Sequence, residues 1–235
     1  MPDLNNLSRI LSKIRNRLTF HFIFAFIFFL ITFEHSSKIL NILEDLLLPE
    51  TATLIYIRPA EYLMIRIKLA GYVGVLSFVF TTSLHGLFSL KEITDKFQMN
   101  ILRLGSIFTF SLSLFIAGCY YALFITLPLV LDYLHNDALS GGIDSTYAVS
   151  EFYSFIMILT FALGLTFQLP LIVFITVKAN LITVDKLKSY RPHLIVTFFL
   201  FSALITPPDI ISQFLLAIPL IILYEISLFV ARFLE

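Results

Sequence analysis

Four polar side chains lie in otherwise apolar sequence, and Gln168, Asp209, Gln213 and Glu225 are the chain's best candidates for chemistry. At bilayer depth an ionisable group costs a few kcal/mol and normally faces protein or a water-filled cavity. An amide there makes hydrogen bonds between helices, each worth about 1 kcal/mol. Covalent chemistry is not indicated: no Ser/His or paired-Asp constellation falls at facing helical positions, so an intramembrane hydrolase is the least favoured class and no enzyme activity is expected. The five histidines are scattered, and Cys119 is the only cysteine. Without C-x-x-C or H-E-x-x-H pairing, neither a metal nor another cofactor is expected, and no intramolecular disulfide can form.

Two of the four polar groups fall in residues 205–219, ITPPDIISQFLLAIP. Proline has no backbone donor and cannot continue a helix from the residue before it. Thr206-Pro207-Pro208 must therefore stop one helix and start another within a few residues. Asp209 can cap the new helix through its carboxylate, or act directly. The preceding apolar run, His193 to Ile205, has 13 residues. At 1.5 Å per residue it covers about 20 Å of a hydrocarbon core roughly 30 Å thick, too short for an ordinary bilayer. Gln168 lies in Phe167-Gln168-Leu169-Pro170, where Pro170 frees backbone carbonyls and bends the helix into a polar, concave wall. Gln168 is then either a helix-packing or a partner-binding residue. Glu225 is structural if it pairs with an internal Arg or is protonated.

The elements that position these groups follow from composition. With 58% hydrophobic residues, 26 Phe among 235 residues and a mean hydropathy of +0.92, the chain far exceeds what a soluble core requires and reads as an integral membrane protein. Its net charge is zero and its basic residues occur in small groups, so nucleic acid is not an expected partner. Six apolar spans are expected, at about residues 18–33, 69–88, 101–130, 152–177, 193–205 and 210–230, in one all-α polytopic domain covering 1–235. The first follows Arg9, Lys13, Arg15 and Arg17, but no small-residue cleavage site follows Phe33, so it reads as a retained helix.

Orientation follows from Lys and Arg, which are in excess on the cytoplasmic side. With the N-terminus inside, twelve of the sixteen fall on that side: Arg9, Lys13, Arg15, Arg17, Lys91, Lys96, Arg103, Lys178, Lys186, Lys188, Arg191 and Arg232. Only Lys38, Arg58, Arg66 and Lys68 fall outside, and residues 132–151 carry acids alone. Both termini are expected in the cytoplasm. In the first external segment, Glu34 to Lys68, the residues Ile39, Leu40, Leu43, Leu46 and Leu47 form an approximate helical stripe, predicting a separate interfacial helix ended near Pro49.

Several of these pieces together resemble the TatC family, the multi-span subunit of the twin-arginine protein translocase. After Tyr153 they are Ser154-Phe155, Phe167-Gln168-Leu169-Pro170, Arg191-Pro192, Thr206-Pro207-Pro208-Asp209, Ser212-Gln213, Leu216-Ala217-Ile218-Pro219 and Glu225. Before it they are Ile14-Arg15-Asn16-Arg17-Leu18, Pro49, Pro59-Ala60-Glu61-Tyr62, Ile67-Lys68 and Pro128. The resemblance implies a concave, glove-like bundle of six helices with short fifth and sixth spans, in the cell membrane or an organellar inner or thylakoid membrane. It implies binding of twin-arginine signal peptides on folded cargo and recruitment of single-span TatA- and TatB-type subunits. Transport would be driven by the proton-motive force, within an oligomeric hetero-complex embedded in the lipid bilayer. It also implies partner docking by Gln168, Thr206 and Gln213, and structural or transport roles for Pro49, Pro170, Pro207, Pro208, Asp209 and Glu225.

The departures fall where arginine recognition belongs. A planar guanidinium is best bound by carboxylates. Family members commonly carry a glutamate two residues before the first arginine of the N-terminal motif, where this chain has Lys13, and another where residues 97–100 have no acid. Glu92 and Asp95 are the nearest replacements, with Arg15 and Arg17 beside them as candidate signal-binding residues. The alternatives are solvated loop charges for the acids and positive-inside anchors for the arginines. Two other classes stay open on sequence: a divergent paralogue that has lost signal recognition, and an ion- or proton-coupled transporter using Gln168, Asp209 and Glu225 across a broken-helix site.

Overall fold

The computed structural model describes residues 18–93, 101–142, 145–178, 181–206 and 210–234. Among them, α1 (Leu18–Leu47), β1 (Thr53–Ile55), α2 (Glu61–Ile93), α3 (Ile101–Tyr121), a π-helical segment (Ala122–Thr126) and α4 (Leu127–Ser140) follow in order. The chain continues through β2 (Thr146–Ala148), α5 (Val149–Thr166), α6 (Leu169–Lys178), α7 (Val184–Ser189), α8 (Arg191–Ile205) and α9 (Ile210–Ala231), and ends in a 3₁₀ turn, Arg232–Leu234. Among the described residues, five helical segments are long and apolar enough to cross a membrane: Leu18–Leu47, Glu61–His85, Gly105–Ser140, Val149–Lys178 and Ile210–Ala231. Arg191–Ile205 is apolar but shorter.

Two sequence expectations are corrected. The segment after Phe33 is not a separate interfacial helix. It is the continuation of α1, which runs 30 residues without interruption because neither Gly nor Pro occurs between Leu18 and Leu47. Of the expected stripe Leu40, Leu43 and Leu47 are buried, while Ile39 is half-buried and Leu46 exposed. Pro49 follows the helix end, and its carbonyl accepts from the Ala52 N–H at 2.9 Å. The second helix likewise begins at Glu61, eight residues before the expected Leu69, with an acid in its first turn just after Pro59.

Contacts divide the chain into two units, the described parts of Met1–Leu43 with Arg58–Phe110, and of Glu44–Ile57 with Ser111–Glu235. In the first, Arg66 ties α2 to α1. Its Nε donates to Ser36 Oγ at 2.7 Å, its Nη2 to the Phe33 carbonyl at 3.1 Å, and its guanidinium lies 4.6 Å from the Phe33 ring centre. In the second, β1 and β2 pair in parallel with Leu54 opposite Tyr147. Beside them Thr51 Oγ1 and His135 Nε2 lie 2.9 Å apart. Tyr153 Oη donates to Glu44 Oε2 at 2.9 Å.

Within the second unit, α5 and the part of α3 from Ser111 onward approach backbone to backbone through two glycines. A Cβ at Gly118 would stand 2.8 Å from the Leu163 carbonyl oxygen and 2.9 Å from Gly164 Cα, while one at Gly164 would meet the Phe115 ring at 2.7 Å. Small residues at such crossings permit close dispersion contact where no hydrophobic driving force separates protein from lipid. Gly118→Ala is therefore expected to destabilise the fold by about 1–3 kcal/mol through overpacking. Gly71→Ala, whose new methyl would meet nothing within 4 Å, is expected to be neutral or stabilising. Thermal unfolding of the detergent-solubilised variants checks both.

Candidate docking and recognition site

Backbone chemistry places Gln168. Pro170 offers no N–H, so the Thr166 carbonyl loses its ordinary acceptor role, and the fourth span breaks at residues 167–168 between α5 and α6. The Gln168 N–H turns back to the Leu165 carbonyl at 3.0 Å, and the helix resumes with the Ile172 N–H bonded to the Gln168 carbonyl at 3.0 Å. The Gln168 side chain is clamped at both ends by α3. Ser111 Oγ donates to its Oε1 at 2.7 Å, and its Nε2 donates to the Ser111 carbonyl at 3.1 Å. The amide keeps one further donor hydrogen and acceptor capacity.

Gln213, near the start of α9, reaches back to α8, where its Nε2 donates to the Phe199 carbonyl at 3.0 Å. The Phe199 and Phe214 rings, 4.9 Å apart and edge to face, pack the same crossing. Thr206 is buried and closes α8: both its N–H and its hydroxyl donate to the Ser202 carbonyl at 2.9 Å. The three candidate docking residues are each bonded to a different neighbour, and no hydrogen bond among the described residues links them.

Glu225 resolves as an ion pair. Arg191, at the start of α8, donates from Nη2 to Glu225 Oε2 at 2.6 Å, with the two side chains 36% and 44% exposed. Tyr224 Oη donates to the Leu187 carbonyl at 2.8 Å, holding α7 against α9. In α7 the hydrogen bond from Lys188, 2.7 Å away, holds the Asp185 carboxyl below its ordinary value. Gln168 and Glu225 thus have separate partners, a geometry unlike one shared ion site. Arg15, Arg17, Asp95, Pro207, Pro208 and Asp209 lie outside the described residues, as does the side chain of Glu92, which falls within α2. Sequence reasoning missed Ser111, which looks like any hydroxyl of an apolar helix, and did not identify Arg191 as the partner of Glu225.

These features define a multi-pass helical membrane protein whose polar residues join helices to one another. The family model of the Sec-independent protein translocase protein (TatC) matches residues 9–219, and the chain belongs to this family. It is 33% identical over 230 residues to the Sec-independent protein translocase protein TatC of Halothiobacillus neapolitanus, covering 95% of this chain and 61% of that relative's length. It is 34% identical over 236 residues to the TatC of Aquifex aeolicus, covering 96% and 94%. A crystal structure of the twin arginine translocase receptor TatC superimposes with a TM-score of 0.80 at 30% identity, covering 96% of this chain and 99% of the other.

The clamp has a measurable consequence. Gln168→Leu and Ser111→Ala are each expected to destabilise the fold by about 1 kcal/mol, with the double variant losing clearly less than the sum because the two share one interaction. Charge reversal at Arg191 or Glu225 alone is expected to lower the thermal midpoint, and the swapped pair to recover most of it. Unfolding of the two double-mutant cycles reads both.

Proposed function

We propose that this chain is the receptor and scaffold subunit of a twin-arginine translocase, a binding protein with no catalytic step. It receives the twin-arginine signal of folded cargo, recruits single-span TatA- and TatB-type subunits, and works in an oligomeric hetero-complex powered by the proton-motive force. The observation that carries this reading is the similarity to the twin arginine translocase receptor over 96% of the chain. The bias of Lys and Arg supports six spans with both termini in the cytoplasm of a prokaryotic cell, or the equivalent side of an organellar membrane.

In this reading Glu92 and Asp95 supply carboxylates for the arginine pair, and Arg15 and Arg17 complete the same cytoplasmic surface. Gln168 and Gln213 use their remaining amide capacity to set the register of a partner helix, with Thr206 fixing the end of α8. The 15 residues of α8 rise only about 22 Å, which obliges the bilayer to thin or the helix to tilt at fractions of a kcal/mol per Å. Several such subunits together weaken the membrane locally. Lys13 and the acid-free residues 97–100 favour a second reading, a paralogue that keeps the scaffold without recognising the signal.

Photo-crosslinking separates the two. With probes at positions 15, 92 and 95 in native membranes, a twin-arginine signal peptide is expected to crosslink strongly and a twin-lysine peptide weakly. Equal or absent labelling of folded protein supports the paralogue instead.

A further inference from the structure

A cleft of about 470 Å³ opens along α9 in the second unit. One wall is the stripe Leu215, Ile218, Ile222 and Ile226, and Tyr121 and Phe167, with rings 5.6 Å apart, form part of the rest. Ile226 also borders a second hollow, of about 400 Å³, whose lining includes Arg191, Glu225 and Arg232. The apolar cleft therefore adjoins a charged hollow, its mouth, towards the end of α9.

Dimensions select the occupant. From Leu215 to Ile226 the helix rises about 17 Å, a length of the order of one acyl chain, in the middle of the 22-residue α9. Arg232 lies about 9 Å further along, at headgroup level. The cleft's lining is mainly apolar, as a hydrocarbon chain requires. At the mouth, two arginines and one glutamate leave a net charge of +1, which complements one phosphodiester. We propose that this cleft binds one singly charged, anionic glycerophospholipid, with an acyl chain along α9 and its phosphate held by Arg232 and the outer face of Arg191.

Native mass spectrometry of the full chain in micelles with equimolar phosphatidylglycerol and phosphatidylcholine tests this. One retained phosphatidylglycerol per chain is expected. Arg232→Gln should reduce the preference over phosphatidylcholine about five-fold, the worth of one basic residue at an anionic surface. Ile222→Trp, which fills the cleft, should release the lipid while thermal unfolding still reports a folded protein. Millimolar soluble glycerophosphoglycerol should not displace it, since the chain supplies the holding contact. Lack of headgroup preference, an unchanged Arg232→Gln, displacement by the soluble headgroup, or photo-crosslinks from position 222 to a protein helix instead of lipid would each overturn the proposal.

Discussion

Hydrocarbon offers no hydrogen bonds, so every backbone donor and acceptor within a span must be satisfied by the protein itself. Prolines inside apolar helices are where this constraint becomes visible. Pro128 cannot donate to the carbonyl four residues earlier, and the turn before it relaxes into the π-helical segment Ala122–Thr126, with the Leu127 N–H reaching the Ala122 carbonyl. Pro170 produces a complete break, and Gln168 stands in that break because the helix cannot close there. Pro219 stays within α9 and lines the cleft beside Leu215, whose carbonyl it leaves without a helical donor. One missing N–H thus yields an altered pitch, a broken span or a cleft wall, depending on its neighbours.

Side chains answer the same constraint. Gln168 with Ser111, Gln213 with the Phe199 carbonyl, and Arg191 with Glu225 each join two helical elements by a polar contact. The glycines at 118 and 164 act differently, by removing atoms so that backbones touch. Polar contacts specify which residues meet, and close packing supplies contact area without requiring a hydrophobic effect between helices.

Much of this was legible in the sequence for a physical reason: backbone rules are local. The stop near Thr206 and a distortion at Gln168, expected as a bend and found as a break, follow from proline, and the shortness of α8 from counting residues up to Ile205. The faces of the spanning helices were not legible. In a soluble helix the polar side marks solvent, but Phe22, Ile23 and Phe26 are as apolar as any buried residue and are nonetheless exposed, so periodicity carries little information. The charges at Glu61, Arg66 and Lys68 concealed the start of α2, because Arg66 is used against Phe33 and Ser36 and not left in water. Ser111 was invisible for a similar reason, since its role exists only once Gln168 lies opposite.

The parallel pairing of Thr53–Ile55 with Thr146–Ala148 joins segments more than ninety positions apart, and residues 44–57 group with the later unit although both flanks belong to the earlier one. Parallel strands require a long intervening connection, here supplied by α2, α3 and α4. During synthesis the loop after α1 therefore has no strand partner until Ala148 has emerged. Until then that loop cannot be closed by its strand pair, which makes the pairing a late step of chain synthesis. A chain arrested before β2 would leave the backbone of Thr53–Ile55 without its strand partner and accessible to chaperones and proteases.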